Sequence, residues 1–203
     1  MGYARTNIAA TTAAVVDRIV ASATMKNTTT YTIANASPVW AGGALITVTH
    51  SQVGGVTATL GPITIAGTDV SGQAISEVIV PLTGTTATGT KIFRTVTSAI
   101  GAGWARNAGA GSEDTITIGV AAGAYVATGG GQLGGVLVNN SVAATIVVSD
   151  AAGTIMTVPA SQAAGTYYPL NGVDWSGYLK VATTNTNDVT LIHTSAIPTV
   201  YAA

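Results

Sequence analysis

The chain has 203 residues, seven basic and eight acidic side chains, a formal net charge of −1 and no cysteine. That near-neutral balance offers no basic stripe to a phosphate backbone, so nucleic acid is not an expected partner, and the missing cysteines exclude disulfide frameworks, thiolate metal sites and thiol catalysis. Mean hydropathy is high, at +0.47, yet Thr, Ser, Gly and Asn break every apolar run before the roughly 18 residues of a membrane span, so no membrane partner is expected.

In chain order, residues 1–26 read as an N-terminal arm. The apolar run 8–16 followed by Ala21-Ser22-Ala23 imitates a secretory signal, but Asp17 and Arg18 stand where its apolar core has to continue. Val15, Val16, Ile19 and Val20 share one helical face, whereas Thr11, Thr12 and the β-branched pairs suit an extended strand. A short helix and an extended arm both fit. Tyr3, Arg5, Ile8 and Arg18 combine apolar anchors with charge and are the expected contacts with a partner chain. The sequons at Asn27, Asn35 and Asn139 carry weight only in a secreted eukaryotic protein.

After Lys26 the texture changes to short Val/Ile/Thr runs separated by Gly, Asn, Asp and Ser, the pattern of an all-β chain. Strands are predicted at 29–33, 44–50, 56–60, 63–66, 74–80, 91–97 and 115–120. Alternation is clearest in the last, where Ile116, Ile118 and Val120 must face a core. Between 63–66 and 74–80 lies a turn whose Asp69 can accept backbone hydrogen bonds and whose Gly72 tolerates positive φ. Pro62 lacks a ladder donor, which places its strand end at an edge or a bend.

Gly129-Gly130-Gly131 and Gly134-Gly135 read as a flexible joint. Beyond it, strands are predicted at 136–139, 145–149, 155–158, 166–168, 179–182 and 189–193, with a second Asp/Gly turn at Asp150-Ala151-Ala152-Gly153. The expected architecture is two small antiparallel β-sandwiches of an immunoglobulin-like or jelly-roll-like kind, residues 27–128 and 129–203, behind the arm 1–26.

A search for chemistry returns little. His50 and His193 lie in separate predicted strands with no carboxylate or second histidine at ligand spacing. Asp174-Trp175-Ser176-Gly177 only echoes a nucleophile elbow, and Glu113-Asp114 reads as a solvated turn. Gly129, Gly131 and Gly134 match a dinucleotide fingerprint, but a strand follows where a helix is required. No catalytic, metal-binding or cofactor-binding residue is therefore expected, and no cofactor. Trp40, Trp104, Tyr167, Tyr168, Trp175 and Tyr178 gather near joints and in the second half. They suit core plugs or subunit anchors, and exposed members would suit a sugar platform. Residues 1–110 carry six basic and three acidic side chains, and residues 111–203 one and five. Opposite signs on the two halves suit complementarity between subunits, and so weakly charged a surface with many sheet edges suits self-assembly.

The run 47–104, with Gly67-Thr68-Asp69-Val70-Ser71-Gly72-Gln73 and Gly89-Thr90-Lys91-Ile92-Phe93-Arg94-Thr95-Val96-Thr97-Ser98, resembles small structural proteins of tailed-bacteriophage virions. The run 144–194, with Pro159-Ala160-Ser161-Gln162-Ala163-Ala164-Gly165-Thr166-Tyr167-Tyr168-Pro169-Leu170 leading to Gly177-Tyr178-Leu179-Lys180-Val181, is similar to small phage head-associated sandwiches. The resemblance implies a non-enzymatic virion protein, first of all a capsid decoration or cement protein. Such a protein would sit on the capsid exterior as a homo-oligomer, a trimer, bridging major capsid protein subunits. The alternative it leaves is a head fibre, neck or tail module that binds a host receptor or glycan through exposed aromatics.

Overall fold

The computed structural model describes residues 2–9, 12–25, 29–37, 42–53, 59–105, 114–185 and 187–195. The regular structure there is antiparallel β, as the sequence pattern requires. In chain order the strands are β1 (Ala4–Ile8), β2 (Val15–Thr24), β3 (Thr29–Thr30), β4 (Ala44–Ser51), β5 (Ile63–Thr68), β6 (Ala74–Ile79) and β7 (Thr86–Phe93). There follow β8 (Thr95–Gly101), β9 (Thr115–Val120), β10 (Ala124–Val138), β11 (Ile146–Asp150), β12 (Gly153–Val158), β13 (Tyr167–Thr183) and β14 (Val189–His193). They divide between two compact units that interleave in sequence. One takes Ala14–Pro38 and Gly43–Ala122; the other takes Met1–Ala13, Val39–Gly42 and Gly123–Ala203.

The first unit holds two four-stranded sheets, β2-β9-β4-β7 and β3-β8-β5-β6. Strict alternation decides which side chains enter the core: Ile116, Ile118 and Val120 of β9, Ile46 and Val48 of β4, and Ile63 and Ile65 of β5 are fully buried. Each such side chain contributes about 1.5–3 kcal/mol of transfer free energy. The Asp69 turn forms as expected, with Oδ1 accepting the Ser71 and Gln73 N–H groups at 2.8 and 2.9 Å and Gly72 at φ +82°. Two predictions change. The run 91–97 is not one strand, because Phe93 and Val96 are both buried on different sheets and the chain crosses between them at Arg94, whose N–H reaches Thr68 O at 2.7 Å. Of the strand expected at 56–60, residues 56–58 lie outside the described residues and Thr59 makes only an isolated bridge to Ala105.

The second unit is a six-stranded sheet, β1-β14-β10-β13-β11-β12. Its spine is the long β10/β13 pair, whose register shifts between Tyr125 and Ala127 and between Leu133 and Gly135. At one end β10 also pairs with β14, and at the other β13 also pairs with β11, so each half of the spine carries its own flanking strands. The glycine tract is not a joint: Gly129, Gly130 and Gly131 pair with Gly177, Ser176 and Trp175 inside the sheet. Glycine is needed at 131 for close approach, since a Cβ there would collide with the carbonyl oxygen of Thr194. The expected boundary at 128/129 is thus replaced by one between Ala122 and Gly123.

Nor do residues 1–26 form a free arm. β1 pairs with β14 from Ala4↔His193 to Ile8↔Val189, and β2 pairs with β9 in the other unit. The helical face is also overturned: Val16 is 54% exposed while Ile19 and Val20 are buried. Register shifts on either side of Val20 turn these neighbouring residues to one side of an irregular edge strand, which their β-branched side chains favour over a helix.

Candidate interaction surfaces

Both histidines are held by the fold. His50 projects from β4 into the sandwich core, where Nδ1 accepts the Gly84 N–H at 2.9 Å and Nε2 donates to Asp114 Oδ2 at 3.1 Å. The other Asp114 oxygen accepts the Val53 N–H at 2.8 Å. Asp114 is 1% exposed, so the solvated turn expected at Glu113-Asp114 is corrected at its second residue; Glu113 lies outside the described residues. With both ring nitrogens bonded to protein, His50 has no lone pair to offer a substrate as a general base. His193, in the other unit, meets Thr6 Oγ1 through Nε2 at 3.1 Å and keeps a buried Nδ1 without a partner among the described residues. Burial holds its pKa below the ordinary 6.5, and the Thr194 backbone opposes part of that shift. The Asp174–Gly177 run lies within β13 rather than on a strand-to-helix elbow. Among the described residues no three His, Asp or Glu side chains gather into a metal-binding group.

A polar groove occupies the outer face of the six-stranded sheet. Register places Arg5, Ile192 and Gly135 in one row across β1, β14 and β10, and Asn7, Thr190 and Leu137 in the next. Their neighbours Ile8, Val189, Leu191, Val136 and Val138 point the other way into the core. The groove measures about 360 Å³ and is lined by Arg5, Asn7, Leu137, Asn139, Thr190 and Ile192. Asp188 organises one end: Oδ1 accepts from Asn7 Nδ2 at 2.8 Å and Asn139 Nδ2 at 2.7 Å, and Oδ2 from Asn140 Nδ2 at 3.0 Å. Both groove-lining amides thereby turn their nitrogens to Asp188, and their Oδ1 atoms accept nothing from the described residues. At the other end the Arg5 guanidinium is exposed, and it makes no hydrogen bond or ion pair with the described residues. The Asp188 carboxylate thus lies beside Asn7, one row of roughly 7 Å along β1 from Arg5.

Two tyrosines lie against the same bulged segment of β10. Tyr167, 47% exposed, pairs with Leu137 and donates its hydroxyl to Gly134 O at 3.3 Å; a Cβ at Gly135 would fall 2.6 Å from its ring. Tyr3, 52% exposed, lies over Gly134 in the same manner.

The sandwich unit presents a different surface. Val78 on β6 and Ile100 on β8 flank Thr64 of β5 in one row of the outer sheet face. Val80 and Leu82, in the segment that follows β6, are exposed as well, and the four side chains are 43–60% exposed.

Comparison with protein-family models, with curated proteins and with solved structures finds no match to this chain. Function has to be argued from these surfaces.

Of the four expected partner contacts, the structure brings Tyr3 and Arg5 to the groove side of the sheet. Ile8 is 1% exposed and belongs to the core. Arg18 sits in the other unit, where Nε donates to Ser37 O at 3.1 Å and its carbonyl accepts Asn35 Nδ2 at 3.1 Å. Most of the aromatic cluster is structural. Trp104 and Trp175 are buried, with Trp175 Nε1 donating to Thr194 O at 3.2 Å, and Tyr178 meets Tyr125 edge-on at 5.1 Å. Trp40 lies outside the described residues. Sequence reasoning missed Asn7, Asp188 and Thr190 and read Asn139 only as a sequon. The alternation of β14 marks Thr190 and Ile192 as sharing a face, but only the β1–β14–β10 pairing assembles the rest.

Proposed function

We propose that the chain is a non-enzymatic structural protein of a tailed-bacteriophage virion, a decoration or cement protein that sits as a homo-oligomer on the capsid exterior and bridges capsid subunits. The observation that carries this reading is the pair of exposed apolar side chains Val78 and Ile100 on the outer sheet face, with Val80 two residues beyond Val78. Large apolar side chains exposed together on a sheet face mark protein association, and the chain's few charges do little to keep copies apart. The occupied nitrogens of His50 support the non-enzymatic part, as does the sequence resemblance to virion proteins.

Sedimentation of the full chain with capsids that lack it tests the reading. Saturable binding is expected, and Val78→Asp is expected to weaken it at least tenfold by burying an unpaired charge at the contact, with an unchanged circular-dichroism spectrum. Failure to bind capsids, or equal binding by the variant, overturns it. Deleting residues 1–26 is no clean test of attachment, since it removes β1 and β2 from two sheets.

A further inference from the structure

We propose that the groove on the outer face of the six-stranded sheet binds an acidic saccharide, with the sugar carboxylate on Arg5 and ring hydroxyls on Asn7 and Asn139. This goes beyond the virion reading and does not depend on it.

The ligand class follows from what the groove leaves unpaired. Arg5 offers planar donors with no partner among the described residues, and that fork suits a carboxylate. One row away, roughly 7 Å along the strand, Asn7 and Asn139 present amide oxygens whose orientation Asp188 fixes. These acceptors pair with donors, which simple carboxylates lack and which the several hydroxyls of a sugar supply. Asn139 is further held by Nδ2 donation to Thr190 Oγ1 at 3.0 Å, so the site is preorganised. Between the polar ends, Leu137 and Ile192 form an apolar floor, and the half-exposed Tyr167 ring stands beside them. A sugar ring has such a character, with hydroxyls at its edge and C–H groups on its face. A volume of about 360 Å³ falls within the range of small-ligand sites, about 300–1,000 Å³.

A peptide C-terminus also carries a carboxylate, but its capture uses a nest of free backbone N–H groups. On this sheet face β14 and β10 have their backbone donors committed to ladders on both sides, and the donors that the edge strand β1 leaves free point outward in the plane of the sheet, so the face itself offers side chains.

The test is a titration of the full chain, isotope-labelled and followed by NMR, with sialyllactose and with digalacturonate; lactose, acetate and a tripeptide with a free C-terminus are the comparison ligands. Saturable shifts at the Arg5 Nε–H and the Asn7 and Asn139 side-chain amides are expected with at least one acidic sugar, and which one binds identifies the source of the carboxylate. Lactose and acetate are expected to bind at least tenfold more weakly. Arg5→Gln is expected to lose at least tenfold and Arg5→Lys less, whereas Arg18→Gln, in the other unit, is expected to bind as the unaltered chain. No shift with either acidic sugar up to about 10 mM, or full binding by Arg5→Gln, overturns the proposal. So does acetate matching the sugars, which shows a simple anion site, or the tripeptide binding more tightly, which shows a peptide site. Capsid binding is read separately, so failure of one assignment is distinguishable from failure of the other.

Discussion

In the sandwich unit, eight strands of 2–10 residues pair within two sheets whose register also shifts, beside Val20, Leu45 and Ala66, and apolar alternation assigns the core side chains of β4, β5 and β9. In the other unit, a 15-residue and a 17-residue strand run side by side through two register shifts, and glycines stand where backbone or aromatic groups come close. The first design buries apolar residues efficiently and leaves a plain apolar face outside. The second gathers polar and apolar side chains from residues 5 to 192 into one groove. What separates the units is strand length: the short strands leave a plain exposed face, and the long β10/β13 spine carries flanking strands whose side chains meet in a groove. The charges follow the units rather than the sequence halves. The ranges of the sandwich unit contain five basic and five acidic residues and those of the other two and three, so the polarity expected between residues 1–110 and 111–203 is lost once the chain is folded.

The sharpest way to break this division is a cavity in one core. Ile118 is fully buried and pairs with Val48 on one side and Val20 on the other. Ile118→Ala is expected to cost about 3 kcal/mol, lowering the sandwich transition in calorimetry by roughly 10–20 °C while the transition of the six-stranded unit stays in place. A single transition that moves as a whole would show that the two units are one cooperative body.

The two Asp/Gly turns, one in each unit, sharpen the comparison at smaller scale. Asp69 accepts two N–H groups, both within its own turn. Asp150 accepts Ala152 and Gly153 N–H through Oδ1 at 2.8 and 3.1 Å, and through Oδ2 the Ser176 N–H of β13 at 2.9 Å. Because it ties a turn to a neighbouring strand, Asp150→Ala is expected to cost about 2 kcal/mol and Asp69→Ala about 1 kcal/mol by urea denaturation. The Ser176 hydrogen bond, ahead of those from Ala152 and Gly153, holds the Asp150 carboxyl below its ordinary pKa of 3.8. An acid depressed in the folded state contributes stability above that value and loses it as pH falls through the folded pKa. The Asp150→Ala deficit should therefore shrink below pH 3.8; a deficit that stays constant would show that the carboxylate's charge plays no part.

How much of this was legible in the sequence depended on range. The strands at 63–66, 74–80 and 115–120, the inward side of Ile116, Ile118 and Val120, and both Asp/Gly turns were readable because two-residue alternation and turn chemistry are local. The glycine tract was misread because glycine serves flexibility and close packing alike, and only the carbonyl of Thr194, 63 residues on, tells which. Residues 1–26 were misread for a related reason: the partners of β1 and β2 lie 91 residues or more downstream. Composition offers Tyr3 and Arg5 only as contacts of an arm with a partner chain; the structure puts Arg5 in the lining of the groove. Asn7 and Asp188, 181 residues apart, carry no local signal.

The smallest expected effect separates the two histidines. His50 satisfies both nitrogens inside the sandwich, whereas His193 sits between Ala4 of β1 and Leu133 of β10, where its Nδ1 meets no hydrogen-bond partner among the described residues. A proton added to His193 brings a charge into a site whose hydroxyl neighbour, Thr6, cannot neutralise it. Burial therefore lowers its pKa in the folded state, and as the medium is acidified the unfolded chain takes up the proton first. Stability rises with pH wherever the unfolded state binds more protons. The six-stranded unit should thus be at full stability above about pH 6.5 and weaken as pH falls from there toward the folded pKa, where the loss levels off. His193→Leu removes both the titration and the stranded nitrogen. At pH 8 it is expected to change stability by less than about 1 kcal/mol, and at pH 5 to leave the unit more stable than the unaltered chain. Denaturation curves at the two pH values check this, and a variant that weakens as steeply as the unaltered chain below pH 6.5 would place the sensitivity elsewhere.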